Sequence, residues 1–353
     1  MKNQIVPEKK KIPGLSYAVM SDRIELPVLD ITHPLFNSSI NENKLAGYLI
    51  EAEKNGEKRA RSFQNVPAFI KRFFINHSFI MADLLSEKKE DNFLSGLSTL
   101  LLKMGPDLIG GGAKRFLDRL SSKGIGGIVL RMRLRDMAHC QAEILSPLLN
   151  SSPEKNLCLI NIAGGTSCDS INSLLLILKE KPELLQNRNI EINVLDIDPT
   201  GPDFAAKSID ALKTGDGKFR NLNITLKYIP YNWNDTRELI KLLLTRKDWL
   251  MLCGSEGGLF EYCEDEVIIA NLAALYENSP KDMIIAGSIM RDVGTIDAGA
   301  KAAMKITSIK ARMVGIDGLK ILLEKTKWKL DRLMETNPRY IVFSLIKRDA
   351  LNY

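Results

Sequence analysis

The chain has 353 residues, with 49 Lys and Arg against 43 Asp and Glu for a formal charge of +6, and 45% hydrophobic, 26% charged and 7% aromatic residues. This is ordinary globular composition, which excludes intrinsic disorder, collagen-like repeats and a small disulfide scaffold. At roughly 150 residues per domain, the length predicts about two domains, each able to bury a core.

Residues 1–150 hold 22 basic and 16 acidic residues, whereas residues 151–353 hold 27 of each, so the whole basic excess lies in the first part. An excess of this size fits a solvated face more simply than a nucleic-acid, membrane or acidic-substrate surface. Cys140, Cys158, Cys168, Cys253 and Cys263 form no C-x-x-C pair, and His33, His77 and His139 stand at no ligand spacing to them. No metal site is therefore expected, and a reducing, cytoplasmic compartment is. Met1–Pro13 is polar and lysine-rich, and no run reaches about 18 apolar residues, so neither a targeting segment nor a membrane span is expected.

Residues 1–13 predict a mobile arm. From Asn41 to Asn150 the apolar positions recur at three- and four-residue spacing, as in Leu45-Ala46-Leu49-Ile50, Phe69-Ile70-Phe73-Phe74 and Leu97-Leu100-Leu101-Met104, which predicts helices. Breaks are expected at Asn55-Gly56, Gly105-Pro106, Gly110-Gly111-Gly112 and Gly124-Ile125-Gly126-Gly127, with a last helix over about Val129–Leu149. The domain boundary is placed near residue 150, giving a helical part over 1–150 and an α/β part over 151–353.

Beyond that point short apolar runs alternate with helical patterns. Strands are predicted at Leu157–Ile162, Ile190–Leu195, Ile224–Ile229, Trp249–Cys253 and Met283–Ala286, with helices over Ser170–Lys181, Asp203–Leu212, Thr236–Thr245 and Asp265–Glu277. Such alternation predicts a parallel, doubly wound, Rossmann-like sheet with right-handed crossovers. Trp328–Met334 and Tyr340–Ile346, joined by Glu335–Arg339, must instead pair antiparallel, which closes a mostly parallel seven-stranded sheet with a hairpin.

Asn161-Ile162-Ala163-Gly164-Gly165-Thr166-Ser167 lies directly after the first buried strand and before a helix. Small residues there let a ligand approach the backbone, and the helix N-terminus suits a carboxylate or phosphate. The second strand ends in Leu195-Asp196-Ile197-Asp198-Pro199, where an acid can accept hydrogen bonds from both hydroxyls of a ribose.

On these segments and the terminal hairpin, residues 156–353 resemble the class I S-adenosylmethionine-dependent methyltransferases. The resemblance implies S-adenosylmethionine as cofactor and S-adenosylhomocysteine as product. Asn161, Ala163, Gly164 and Gly165 would belong to the glycine-rich motif, Asp196 would hold the ribose, and Ile197 would wall the adenine. Asn232 and Trp233, after the third strand, would contact the adenine amine and ring, and Gly254 would complete the cofactor site. The family usually carries an acid where this chain has Asn161 and a third glycine where it has Ser167, which is suited to cap the following helix.

Acceptor-side residues should follow strands four and five, which selects Glu256, Glu261, Tyr262 and Arg291 for orienting an acceptor, with His139 as a general base. Each has a plainer alternative as loop charge, cap or packing residue. The same holds for His33, for the Phe69, Phe73, Phe74 and Phe79 cluster as core or interface between copies, and for Lys58, Arg59, Arg61, Lys71 and Arg72 as a solvated face. The expected activity is methyl transfer to a small-molecule oxygen, nitrogen or carbon, with the helical part as lid and homodimer interface. The alternatives are a nucleic-acid methyltransferase, disfavoured because no Asn-Pro-Pro-Tyr type signature follows strand four, and a fold relative that binds the nucleoside without methylating.

Overall fold

The computed structural model describes residues 11–20, 24–40, 42–85, 93–110, 116–307 and 310–351. Residues 1–10 of the expected arm and Gly111 and Gly112 of the expected glycine break lie outside the described residues. Two short strands absent from the sequence expectation, β1 (Tyr17–Val19) and β2 (Glu25–Pro27), pair antiparallel. Helices α1 (Pro34–Ser39), α2 (Glu42–Gln64), α3 (Ala68–His77), α4 (Phe79–Leu85), α5 (Gly96–Leu108), α6 (Phe116–Lys123) and α7 (Ile125–Ser151) follow.

The α/β part runs β3 (Leu157–Ile162), α8 (Cys168–Glu180), β4 (Asn189–Asp196), α9 (Thr200–Lys213), β5 (Asn223–Pro230), α10 (Arg237–Leu244) and β6 (Leu250–Ser255). It continues through α11 (Leu259–Tyr262), α12 (Asp265–Asn278), β7 (Ile284–Met290), α13 (Ala298–Ile306), α14 (Gly315–Glu324), β8 (Trp328–Met334) and β9 (Tyr340–Lys347). The seven strands stand in the order β5-β4-β3-β6-β7-β9-β8, all parallel except β9, which runs antiparallel to both β7 and β8. The doubly wound sheet and its closing hairpin are those expected from the sequence. Helices α13 and α14, between strands β7 and β8, are additions that no periodicity had signalled.

Alternation along each strand builds a core on each face. In β3, Leu157 and Leu159 pack with α7, α8 and α9, while Cys158, Ile160 and Ile162 pack with α10, α12 and α14. Trp328 on β8, fully buried, donates its indole N–H to Leu272 O at 2.8 Å and so ties the hairpin to α12. The first cluster is continuous from Ala18 through α5 and α7 to Val342, so the helices before β3 and the sheet share apolar packing. Residues 29–31 are pinned to α8 by Asn172, which donates to Leu29 O (3.0 Å) and accepts from Ile31 N (2.8 Å).

One expected helix break comes out differently. Asn55-Gly56 lies inside the continuous α2, because Gly56 is where α13 crosses closely; a Cβ on Gly56 would stand 2.3 Å from Gly299 Cα. The Gly105-Pro106 break holds, since the backbone is non-helical at Gly105, φ 73 beside the Arg131 guanidinium, and divides α5 into two helical pieces across a kink. The Gly124 break holds, since Gly124 caps α7. Phe69 and Phe73 are 74% and 53% exposed on α3, a helix with no buried residue, so this part of the aromatic cluster is surface. All five cysteines are buried and free, and no described helix is long and apolar enough to cross a membrane.

The two α2 glycines separate backbone entropy from packing. A Cβ on Gly47 would find nothing within 4 Å, whereas one on Gly56 meets backbone. Gly47→Ala is expected to stabilise the fold by about 1 kcal/mol, and Gly56→Ala to destabilise it by about 1–3 kcal/mol despite the same propensity gain. Urea unfolding of both variants checks this; equal effects would show that α2 and α13 are not held at the distance described.

Candidate active site

At the carboxyl end of β3 the chain turns sharply into α8. Ala163, Gly165 and Ser167 have φ of 51, 50 and 49. For Ala163 and Ser167 that left-handed backbone costs on the order of 1 kcal/mol each, a strain concentrated at ligand sites when the surroundings enforce it. The enforcement is visible. Gly165 N donates to Asp196 Oδ2 at 2.8 Å, and a Cβ on Gly201, in the first turn of α9, would lie 2.6 Å from Gly165 C. Gly96, opening α5, presses on the same turn, where a Cβ would fall 3.2 Å from Gly165 Cα.

Beneath the turn lies a buried polar cluster. Asn161 Nδ2 donates to Asp169 Oδ1 at 3.1 Å, and its Oδ1 accepts from Ser167 Oγ (2.9 Å) and Ser170 Oγ (3.0 Å). Ser167 therefore stands at the N-cap of α8 but spends its hydroxyl on Asn161, with no side-chain cap bond. Gln141 of α7 donates to Asp169 Oδ2 at 2.8 Å. Burial, reinforced by the nearby charge of Glu256, pushes Asp169 up to about 6 against the pull of Lys103 and Gln141. A Cβ on Gly254 would meet Gln141 Nε2 at 2.9 Å and Asp169 Oδ2 at 3.0 Å, so this glycine makes room for the cluster.

Over the sheet edge opens a cavity of about 570 Å³, within the range of small-molecule sites. One end is lined by Ala163, Gly164, Gly165 and Thr166 of the turn, by Asp196, Ile197 and Asp198 after β4, and by Asn232 and Trp233 after β5. Phe93 stands edge-on to Trp233 (6.1 Å) and to Tyr262 (5.9 Å), joining this end to the other. There Glu256, Gly257, Glu261 and Tyr262 meet Lys103 of α5, Arg133 of α7, and Arg339 and Tyr340 at the start of β9. Ile80, Met81 and Leu84 of α4, Met290, and Ala303 and Met304 of α13 complete an apolar wall.

The charges at this end form one buried network. Lys103 Nζ donates to Glu256 Oε2 at 2.8 Å, and Arg133 Nε donates to Glu256 Oε1 at 3.2 Å. Arg133 Nη1 reaches both oxygens of Glu261 (3.2 and 3.4 Å), and the guanidinium lies 4.4 Å from the Tyr340 ring centroid. None of these four charged side chains is more than 6% exposed. Burial works against the charge on Arg133, but Glu261 and Glu256 outweigh it and hold the group protonated. Burial likewise raises Glu261, with Arg133 opposing, and raises the phenols of Tyr262 and Tyr340.

Of the residues selected from sequence, Ala163, Gly164, Gly165, Asp196, Ile197, Asn232, Trp233, Glu256, Glu261 and Tyr262 line this one cavity. Four do not. Asn161 and Gly254 lie in the layer below, and half-buried His139 faces away on α7. Arg291 donates to Glu335 O (2.7 Å) and Asn337 O (2.9 Å), so it braces the turn before β9. Lys103, Arg133, Arg339, Tyr340 and Phe93 were not selected. The trace of Arg133 in the sequence is a charge inside the apolar run Val129-Leu130-Arg131-Met132-Arg133-Leu134.

Strand order, glycine turn and cavity at the carboxyl edge together make this a Rossmann-like α/β protein with the fold of class I S-adenosylmethionine-dependent methyltransferases. No family model matches the sequence, and no curated protein matches it. Solved structures are similar to it over part or most of its length. A possible exported protein from Bordetella parapertussis is 14% identical over 86% of this chain and 96% of its own, with a TM-score of 0.52. Magnesium protoporphyrin IX methyltransferase from Synechocystis, with bound S-adenosylhomocysteine, is 13% identical over 71% of this chain and 94% of its own, with a TM-score of 0.42. LepI, in complex with S-adenosylmethionine, is 11% identical over 59% of this chain and 46% of its own, with a TM-score of 0.39. At 14% identity the likeness to the Bordetella protein is one of fold alone.

Asp169 makes the site layer pH-sensitive in a defined direction. A carboxyl raised above its unfolded value contributes stability at acid pH and loses it as pH climbs through the folded value. With Asp169 at about 6, the stability difference between wild type and Asp169→Asn is expected to fall, against wild type, by about 2 kcal/mol between about pH 4 and about pH 7. Urea unfolding at the two pH values measures it, and a constant difference would mean that Asp169 does not titrate there.

Proposed function

We propose that the protein transfers the methyl group of S-adenosylmethionine to a small-molecule acceptor. The observation carrying this reading is one cavity that runs from the Ala163-Gly164-Gly165 turn and Asp196 to the buried charges around Glu256. The turn is a cradle that side chains would fill. A Cβ on Gly164 would lie 2.4 Å from Asn161 Cβ, and Gly96 and Gly201 leave no more room, so only a flat backbone faces the ligand.

In this reading the half-buried carboxylate of Asp196, its oxygens already oriented by Gly165 N (2.8 Å) and Asp198 N (3.0 Å), accepts the ribose hydroxyls. Ile197, 56% exposed, and Trp233 wall the adenine. Among the described residues Lys103 makes a single hydrogen bond, to Glu256, and its remaining donors hold the methionyl carboxylate. The bound cofactor supplies an electrophilic methyl carbon on a sulfonium. The protein's work is then to exclude water and to hold the acceptor at near-attack distance and in line. Compact apolar and aromatic walls suit a small molecule better than a nucleic-acid strand.

Calorimetry with S-adenosylhomocysteine tests the reading. Wild-type protein is expected to bind, and Asp196→Ala to bind about 10- to 100-fold more weakly, the loss expected for hydrogen bonds to a charged acceptor, with an unchanged circular dichroism spectrum. Absence of heat from the wild type, or equal affinity in the variant, would reject it.

A further inference from the structure

We infer that the methyl acceptor is a carboxylic acid with an apolar body, bound as its carboxylate by Arg133 and Arg339 and methylated on oxygen; this rests on the proposed cofactor site. Arg133, its guanidinium 4.4 Å from the Tyr340 ring centroid, and Arg339, the residue before Tyr340, both line the cavity. Arg133 engages Glu256 through Nε and Glu261 through Nη1, and among the described residues no hydrogen bond engages its Nη2. Arg339, 8% exposed, spends Nε (2.6 Å) and Nη2 (2.9 Å) on Asp297 and leaves Nη1 uncommitted. Two buried guanidiniums that line one cavity, each with a spare arm, are matched to a carboxylate.

Among the described residues, this end of the cavity offers no histidine, and its two carboxylates are engaged by cations. His33, His77 and His139 are not among its lining residues. Both oxygens of Glu256 are occupied by cationic donors, and Glu261 faces Arg133. Tyr262 and Tyr340 stay neutral because burial raises their phenols. Alcohols, most phenols and ammonium groups must lose a proton to become nucleophiles, whereas a carboxylate is already one near neutral pH. Its lone pair forms the new C–O bond while the C–S bond of the sulfonium breaks and leaves its electron pair on sulfur. The products are a methyl ester and a neutral thioether, and no proton is released. Beyond the guanidiniums the wall is apolar, with Ile80, Met81, Leu84, Met290 and Met304, and methionines adapt to varied shapes.

The head group can be tested on wild-type protein without any substitution. Decanoate, decanol and decylamine are titrated calorimetrically in the presence of saturating S-adenosylhomocysteine, and each is then offered with methyl-labelled S-adenosylmethionine. Decanoate is expected to bind at least tenfold more tightly than the other two, to yield base-labile label as a methyl ester, and to turn over at a pH-independent rate from pH 6 to 8 without proton release. Arg133→Lys is expected to lose about tenfold in decanoate affinity. Preference for the alcohol or amine, label in an ether or amine, or a rate rising tenfold per pH unit would overturn the inference. If S-adenosylhomocysteine itself does not bind, the cofactor reading has failed; if it binds and decanoate does not, only the acceptor class has.

Discussion

The carboxyl edge of the sheet is organised around one buried exchange of charge, in which Glu256 is held between Lys103 and Arg133 while Arg133 also holds Glu261. Four ionised groups removed from water would each cost several kcal/mol if left unpaired. The network therefore tolerates little relative movement of the pieces that carry it, which are α5, α7, the loop after β6 and α11. Those pieces are the walls of the cavity. A layer of N-terminal helices that packed on the sheet by apolar contact alone could slide by a turn and still bury its leucines; ion pairs with fixed partners set the register.

A second polar layer lies one level deeper and explains two departures in the glycine-rich segment. Asn161 replaces an acid, but the carboxylate is not lost from the neighbourhood: Asp169, the second residue of α8, stands 3.1 Å from the Asn161 amide. Ser167 replaces a glycine and adopts left-handed backbone at φ 49, with its hydroxyl on Asn161. Both substitutions feed one hydrogen-bonded cluster that holds the turn from below, while Gly96 and Gly201 press on it from the sides. The strained backbone at Ala163 is thereby over-determined, the condition under which such strain persists.

The α/β layer was legible in the sequence because its strands are short apolar runs with abrupt ends, and because strand-end chemistry is local: the glycine turn and Asp196 are each read within a few residues of a strand terminus. What failed to show has a common cause. Gly56 looked like a helix end because a glycine in isolation signals a break, whereas its purpose, the approach of Gly299, is 243 positions away in sequence and visible only once α13 exists. Arg291 looked like a site residue because it follows β7, yet its guanidinium satisfies carbonyls of the β8–β9 turn. Lys103, Arg133 and Arg339 escaped notice because spacing rules rank a basic residue by its neighbours in the chain, and these three take their meaning from partners on other elements.

The same limit applies to charge counted by halves. A basic excess confined to residues 1–150 suggested a surface property, and part of it does face water on α2 and α3. Another part is spent inside. Lys103 and Arg133 are matched by Glu256 and Glu261 of the nominally neutral half, and Arg131, 1% exposed, donates to Leu102 O, Ser122 O and Ser39 O to bind α1, α5 and α6 together. The traffic also runs the other way, with Lys218 on Asp30 and Arg332 on Glu143. Net charge per segment describes a field at a distance. At contact range what matters is which element supplies each partner, and here both signs cross the boundary, so that the cavity exists only where the helical layer and the sheet edge complete each other's ion pairs.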